Sequence, residues 1–301
     1  MLHLAFPKVQ VLGPTLFLIY INDLADNIKA NVRLFADDTI LYKNIKTIEE
    51  AVSLNEDLKE LQKRESKWLM DFNVTKCHAI TFTNKKTPIK ADYTLHGQVL
   101  TRVESAKYLG VELDSSLKWN KHVQSIVSKA NKTSAFIWRN LKGCPTSTHI
   151  TCYKTLIRPL LEYACVVWDP HQNKLITELE KVQKRMARRI TANSQSTSSS
   201  SLIQKLGLEP LAERRRQAKA TIMYKILNKH VNMPLPYSMS YNHRTTRGHS
   251  RRLNIPKSRI DAHLHSFVPS ATRVWNSLTQ ETVTSKNTEL FKTCLSTLTY
   301  F

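Results

Sequence analysis

The chain has 301 residues, 41% of them hydrophobic, enough for one large or two ordinary domains with a sizeable core. No apolar run is long enough to span a bilayer, and the N-terminus lacks the basic start and long apolar core of a secretory signal. The net charge of +21 is segregated: residues 1–115 carry 15 Lys and Arg against 15 Asp and Glu, whereas residues 116–301 carry 30 against 9. Such an imbalance marks a surface for a polyanion, nucleic acid foremost, and solubility alone explains it less well.

In chain order, "GPTLFLIYINDLADNI" (13–28) reads as a largely buried helix, and "VRLFADDTILY" (32–42) as a hairpin with carboxylates at its tip. "TIEEAVSLNEDLKELQKRESKWLM" (47–70) is an amphipathic helix. Thr47 and Glu50 form a capping box, and Ile48, Ala51, Val52, Leu58, Leu61 and Leu69 supply most of its buried face. Short strands follow in "HAITFT", in "DYTLHGQVLTRV" with a turn at Gly97, and in "KYLGVEL". From about residue 116 the character changes to helix and positive charge, with helices expected near 120–141, 147–165, 172–191 and 210–230. In the third, Leu175, Leu179, Val182, Met186 and Ile190 share one face, while Lys181, Lys184, Arg185, Arg188 and Arg189 mostly occupy the others. "TANSQSTSSSS" (191–201) is a low-complexity linker, and beyond residue 230 no periodicity shows until "FVPSATRVWNSL".

Five cysteines, Cys77, Cys144, Cys152, Cys165 and Cys294, have no metal-ligand spacing and read as reduced thiols of an intracellular protein, nuclear or cytoplasmic. The residues that carry chemistry are Asp37 and Asp38. Successive strand residues point to opposite faces, so both can serve one site only where the backbone turns. Adjacent carboxylates repel, and a divalent cation removes that penalty; Mg²⁺ favours carboxylates together with substrate phosphates. Taken alone, two aspartates in a turn are also an ordinary polar surface turn.

The neighbourhood decides between these readings. "FADDT" (35–39) resembles the catalytic hairpin of reverse transcriptases, especially those of non-LTR (LINE-type) retrotransposons. "PKVQVLGPTLFLIYINDL" resembles the family segment P-Q-G-S-V-L-G-P and the helix after it. "KCHAITFT" and "KYLGVELDSSLKWNKHV" resemble later palm blocks, "LIRPLLEYACVVWDP" the helical segment beyond, and "FVPSATRVWNSL" a C-terminal block of these elements. The resemblance covers most of residues 7–290, with its blocks in order. It implies an α+β fold: a partial polymerase palm over 1–115, a helical thumb-like domain over 116–190, the Ser-rich linker 191–201, and a basic helical region over 202–301. It also implies RNA-directed DNA synthesis on an RNA template with a DNA primer or duplex, using deoxynucleotides where the enzyme is complete, and no membrane. Asp37 and Asp38 become catalytic metal ligands for Mg²⁺ or Mn²⁺, which activates the primer hydroxyl and stabilises the leaving pyrophosphate.

Two departures qualify that expectation. Lys8, Val9 and Gln10 stand where the family has Gln, Gly and Ser, and a β-branched Val9 fills the space a glycine leaves open. The third carboxylate of a two-metal site belongs to an upstream block resembling A-F-D, and nothing acidic precedes Pro7. The expected protein is therefore truncated at its N-terminus, without fingers, weak in metal binding and inactive alone; the alternative is a non-catalytic nucleic-acid-binding remnant of such an element. For nucleic-acid contact the candidates are Lys181, Lys184, Arg185, Arg188 and Arg189, with the run Arg214, Arg215 and Arg216; a solvated helix face is the competing reading of each. Trp119, Trp138, Trp168 and Trp275 read as core more than as base-stacking platforms, and His243, His249, His263 and His265 form no metal set.

Overall fold

Alternating apolar positions on either side of a two-residue turn make the first hairpin. Strand β1 (Asn31–Phe35) pairs antiparallel with β2 (Asp38–Tyr42), Phe35 lying opposite Asp38. The computed structural model describes residues 12–191, 198–233, 239–242 and 248–297. The readings placed on Pro7, Lys8, Val9, Gln10, His243 and most of the Ser-rich linker lie outside the described residues. Contacts divide the chain into two units, Met1–Leu117 and Lys118–Phe301, which together mix helices with short strands.

In the first unit α1 (Leu12–Ile21) forms where the apolar stretch predicts a helix, but it is not buried. Leu12, Leu16, Leu18 and Ile19 are 50–68% exposed, and Ile21 is the buried residue of the helix. A helix apolar all round needs partners on every side; the contacts of α1 include the 3₁₀ turn Asn22–Ala25 and, through the Tyr20 ring, Trp68.

Helix α2 (Ile48–Trp68) keeps the predicted capping box of Thr47 and Glu50. Its buried face keeps Ala51 and Leu61 of the predicted set and adds Asp57 and Glu65, whereas Ile48, Val52 and Leu69 are exposed. The reason is backbone satisfaction. Asp57 accepts the Lys29 and Ala30 backbone N–H groups at 2.9 Å each, and Glu65 accepts that of Phe72 and pairs with His96 at 2.8 Å. Buried carboxylates that collect loop donors displace aliphatic side chains from this face. Asp57 thereby fixes the chain just before β1.

The remaining strands are short. Strand β3 (His78–Ala79) runs parallel to β6 (Thr101–Arg102), β4 (Thr94–Leu95) pairs antiparallel with β5 (Gln98–Val99), and β7 (Ser105–Tyr108) with β8 (Val111–Asp114). The β7–β8 turn has positive φ at both central residues, 44° at Leu109 and 81° at Gly110, as the tight primed hairpin turn requires.

The second unit is helical: α3 (Asn120–Asn140), α4 (Thr146–Cys152), α5 (Arg158–Glu162), α6 (Cys165–Trp168), α7 (Asn173–Ile190), α8 (Ser199–Lys205) and α9 (Leu211–Leu227). Then come α10 (Asp261–Leu264), α11 (Phe267–Asn276), α12 (Gln280–Val283) and α13 (Thr288–Thr297). The single helix predicted over 147–165 is broken into pieces. Pro159 cannot donate to the carbonyl four residues back, and the turn just before it, Tyr153–Ile157, widens to π geometry. Ala164, at φ 51°, then ends the run before α6.

The α7 face of Leu175, Leu179, Val182, Met186 and Ile190 is buried as predicted, against α3, α8 and α9. A second core joins Met223 and Tyr224 of α9 to Trp275 of α11 and Phe291 of α13, with the Tyr224 and Phe291 rings stacked at 4.3 Å.

Candidate catalytic hairpin and nucleic-acid interface

The β1–β2 turn consists of Ala36 and Asp37, and Asp38 opens β2, so the chain reverses where the two carboxylates meet. Ala36 sits at φ 50°, a left-handed conformation in which its methyl is the smallest side chain short of glycine. Both carboxylates are exposed, as is Phe35 beside them. Arg33 lies over the Tyr42 ring at 5.8 Å on the same hairpin.

One neighbour was not among the predicted site residues. Tyr108, at the end of β7, has its hydroxyl pushed up in pKa by burial first and by the charge of Asp38 second. No local sequence signal would have found it. Hard divalent cations prefer carboxylate oxygens, which suits the pair. Among the described residues, however, no group of three or more His, Cys, Asp or Glu could hold a metal ion.

In the second unit Lys181, Arg185, Arg188 and Arg189 are exposed on α7 and Lys184 is half-buried, opposite the apolar face that anchors the helix. The helix ends in Arg188 and Arg189, where positive charge also suits the negative end of its dipole.

Residues 10–113, a segment that contains the hairpin, match the family described as reverse transcriptase (RNA-dependent DNA polymerase). The chain is also 29% identical over 199 residues to the RNA-directed DNA polymerase from mobile element jockey of Drosophila funebris, covering 62% of this chain and 21% of that protein. The probable RNA-directed DNA polymerase from transposon X-element of Drosophila melanogaster is 26% identical over 194 residues, with the same coverage of 62% and 21%. Residues 10–113 thus carry the reverse transcriptase resemblance. The resemblance to retrotransposon enzymes of the LINE type is borne out, and the chain spans about a fifth of the length of these relatives, 21%. No solved structure matches it. Reverse transcriptases generally use divalent metal ions and act on nucleic acid. Among the described residues no helix of this chain is long and apolar enough to cross a membrane.

The arginine run on α9 is placed otherwise than its sequence suggests. Arg214 is bidentate to Glu162, with Glu209 at 3.4 Å, and its pKa is raised chiefly by the Glu162 hydrogen bonds. The Arg215 side chain is 1% exposed and donates from Nε to Asp169 at 2.7 Å. Arg216 pairs with Glu213 at 2.8 Å. Arg215 is thus drawn off the exposed face of α9, and its two neighbours are committed to carboxylates. Helical periodicity puts three consecutive residues on three different sides, and the Glu162, Asp169 and Glu213 partners come from separate places in the sequence.

Trp168 and Trp275 are fully buried, while Trp119 and Trp138 are half-buried. His249 is buried with its Nε2 2.9 Å from the Trp275 carbonyl oxygen, and burial lowers its pKa. The five cysteines are free thiols; Cys165 is buried and pushed up to about 11, which keeps it unreactive.

Proposed function

We propose that this chain is the palm-hairpin and thumb-like portion of a retrotransposon RNA-directed DNA polymerase, with residues 1–115 forming the partial palm, 116–190 the thumb-like part and 202–301 a basic accessory region. The observation that carries it is the hairpin: Asp37 and Asp38 at the turn of β1–β2, inside the segment that matches the family. Asp37 and Asp38 would hold Mg²⁺ or Mn²⁺, which when bound supplies charge neutralisation for phosphoryl transfer to a primer hydroxyl. The small side chain of Ala36 leaves room for the primer end. The exposed cations of α7 would track the phosphates of an RNA–DNA or DNA duplex and hold it in register, a role in which position along the backbone matters more than base identity.

Two carboxylates make a poor cage. Metal affinity is expected to be weak, about millimolar, in a site so short of ligands. The second reading, a nucleic-acid-binding protein without synthesis, is favoured by the same two-ligand set among the described residues. Paramagnetic broadening by Mn²⁺ tests the hairpin assignment. The amides of residues 35–39 should broaden in the parent and not in Asp37→Asn, and equal broadening in both would overturn it. Primer extension on an RNA template then separates the two readings. No incorporation is expected from residues 1–301 alone, and Asp37-dependent synthesis would show that two carboxylates suffice.

A further inference from the structure

Asp169, just after α6, meets two cations on α9 rather than one. Its Oδ1 accepts from Arg215 Nε at 2.7 Å and its Oδ2 from Lys219 Nζ at 2.6 Å. The Arg215 and Lys219 side chains are only 1% and 9% exposed, so two buried cations share a single carboxylate. Arg215 Nη1 is buried as well and has no hydrogen-bond partner. Burying an excess charge together with an unsatisfied donor is costly unless something supplies the missing acceptor.

The rim of this cluster is also basic. His171, two residues after Asp169, stacks on His265 at 3.9 Å with the rings 9° from parallel. Burial, His171, Arg273 and Lys219 all depress the pKa of His265, and Asp261 opposes them. The groups facing the cluster are thus Arg215, Lys219, Arg273 and two imidazoles against Asp169 and Asp261. Asp169 is 21% exposed and His171 is exposed, so the cluster reaches solvent along that edge.

We propose that the Asp169–Arg215–Lys219 cluster, rimmed by the His171–His265 stack, is an oxyanion site that takes a phosphate group. Lys219 Nζ supplies the charge, Arg215 Nη1 the free donor, and the imidazole N–H groups the outer contacts. A tetrahedral anion matches this set because it offers several acceptors and a charge that balances the surplus cation, where a water would supply an acceptor alone. The site uses none of the residues of the α7 stripe and holds whether or not that stripe binds nucleic acid. The phosphate can come from a nucleic-acid backbone or be free in solution.

The test uses the full chain and inorganic phosphate, with chloride balancing ionic strength, followed by calorimetry. Saturable phosphate binding is expected, weakened at least tenfold in Lys219→Met and severalfold in His265→Asn, with circular dichroism retained. Absence of saturable binding, or parental affinity in both variants, would overturn the assignment. If Lys219→Met loses its circular dichroism, His265→Asn decides alone, and unchanged affinity there counts against the site. Adding a short oligonucleotide separates the sources. Displacement of phosphate assigns the site to a backbone phosphate, and undisturbed binding assigns it to the free anion; either result requires the site to exist.

Discussion

Replacing Lys184, Arg185, Arg188 and Arg189 by alanine removes most of the exposed charge of α7 while sparing Leu175, Leu179, Val182 and Met186, which anchor it. From Lys181 to Arg189 the stripe runs about 12 Å at the helical rise of about 1.5 Å per residue. A duplex carries one phosphate charge per about 1.7 Å of axis, so that length lies along about seven phosphates, of which one side presents about half. Three contacts at a log–log slope of about 0.9 each predict a contribution of about 2.7 to the salt dependence, or about forty-fold in affinity between about 50 and 200 mM salt. Fluorescence anisotropy on an RNA–DNA duplex over a salt series should show the quadruple variant flattened by about two to four units, with little dependence on sequence. Circular dichroism should be unchanged, since alanine is the strongest helix former. If the parent binds nothing at low salt, or the variant keeps the parental slope, the stripe is a solvated face and the interface assignment fails.

Asp169→Ala leaves Arg215 and Lys219 buried without their carboxylate; urea unfolding should show a loss of about 3–5 kcal/mol, and a loss below about 1 kcal/mol would mean that the cluster is relieved by solvent. His249 and His265 both titrate below their ordinary value of 6.5, so the unfolded chain binds protons first as pH drops. Stability should therefore be level above about pH 6.5 and decline as pH falls through the depressed folded values; a melting temperature flat from about pH 7 to 5 would contradict this. Ala36→Gly removes a methyl from a residue at φ 50° and should stabilise the first unit by up to about 1 kcal/mol in the same unfolding assay, whereas destabilisation would show that the left-handed turn is not strained.

Much of the site was legible before any tertiary structure because it is local. A two-residue turn between alternating apolar runs specifies a hairpin, and with it the place of Asp37 and Asp38, through chain geometry alone. The apolar repeat of α7 and its off-face cations follow in the same way from 3.6 residues per turn, as does the capping box that starts α2. What the sequence could not decide is which partners arrive from elsewhere in the chain. Arg215 looks like its basic neighbours until Asp169, 46 residues earlier, draws it out of solvent. Asp57 and Glu65 look like solvated helix residues until loop N–H groups need acceptors, and Tyr108 comes under the charge of Asp38 only through folding. Hydrophobic pattern reports how much surface an element must bury; α1 shows that whether it is buried depends on what else folds against it. Periodicity and turn chemistry act over a few residues and are written in the sequence, whereas the pairing of a buried charge is settled by residues that only folding brings within hydrogen-bond reach.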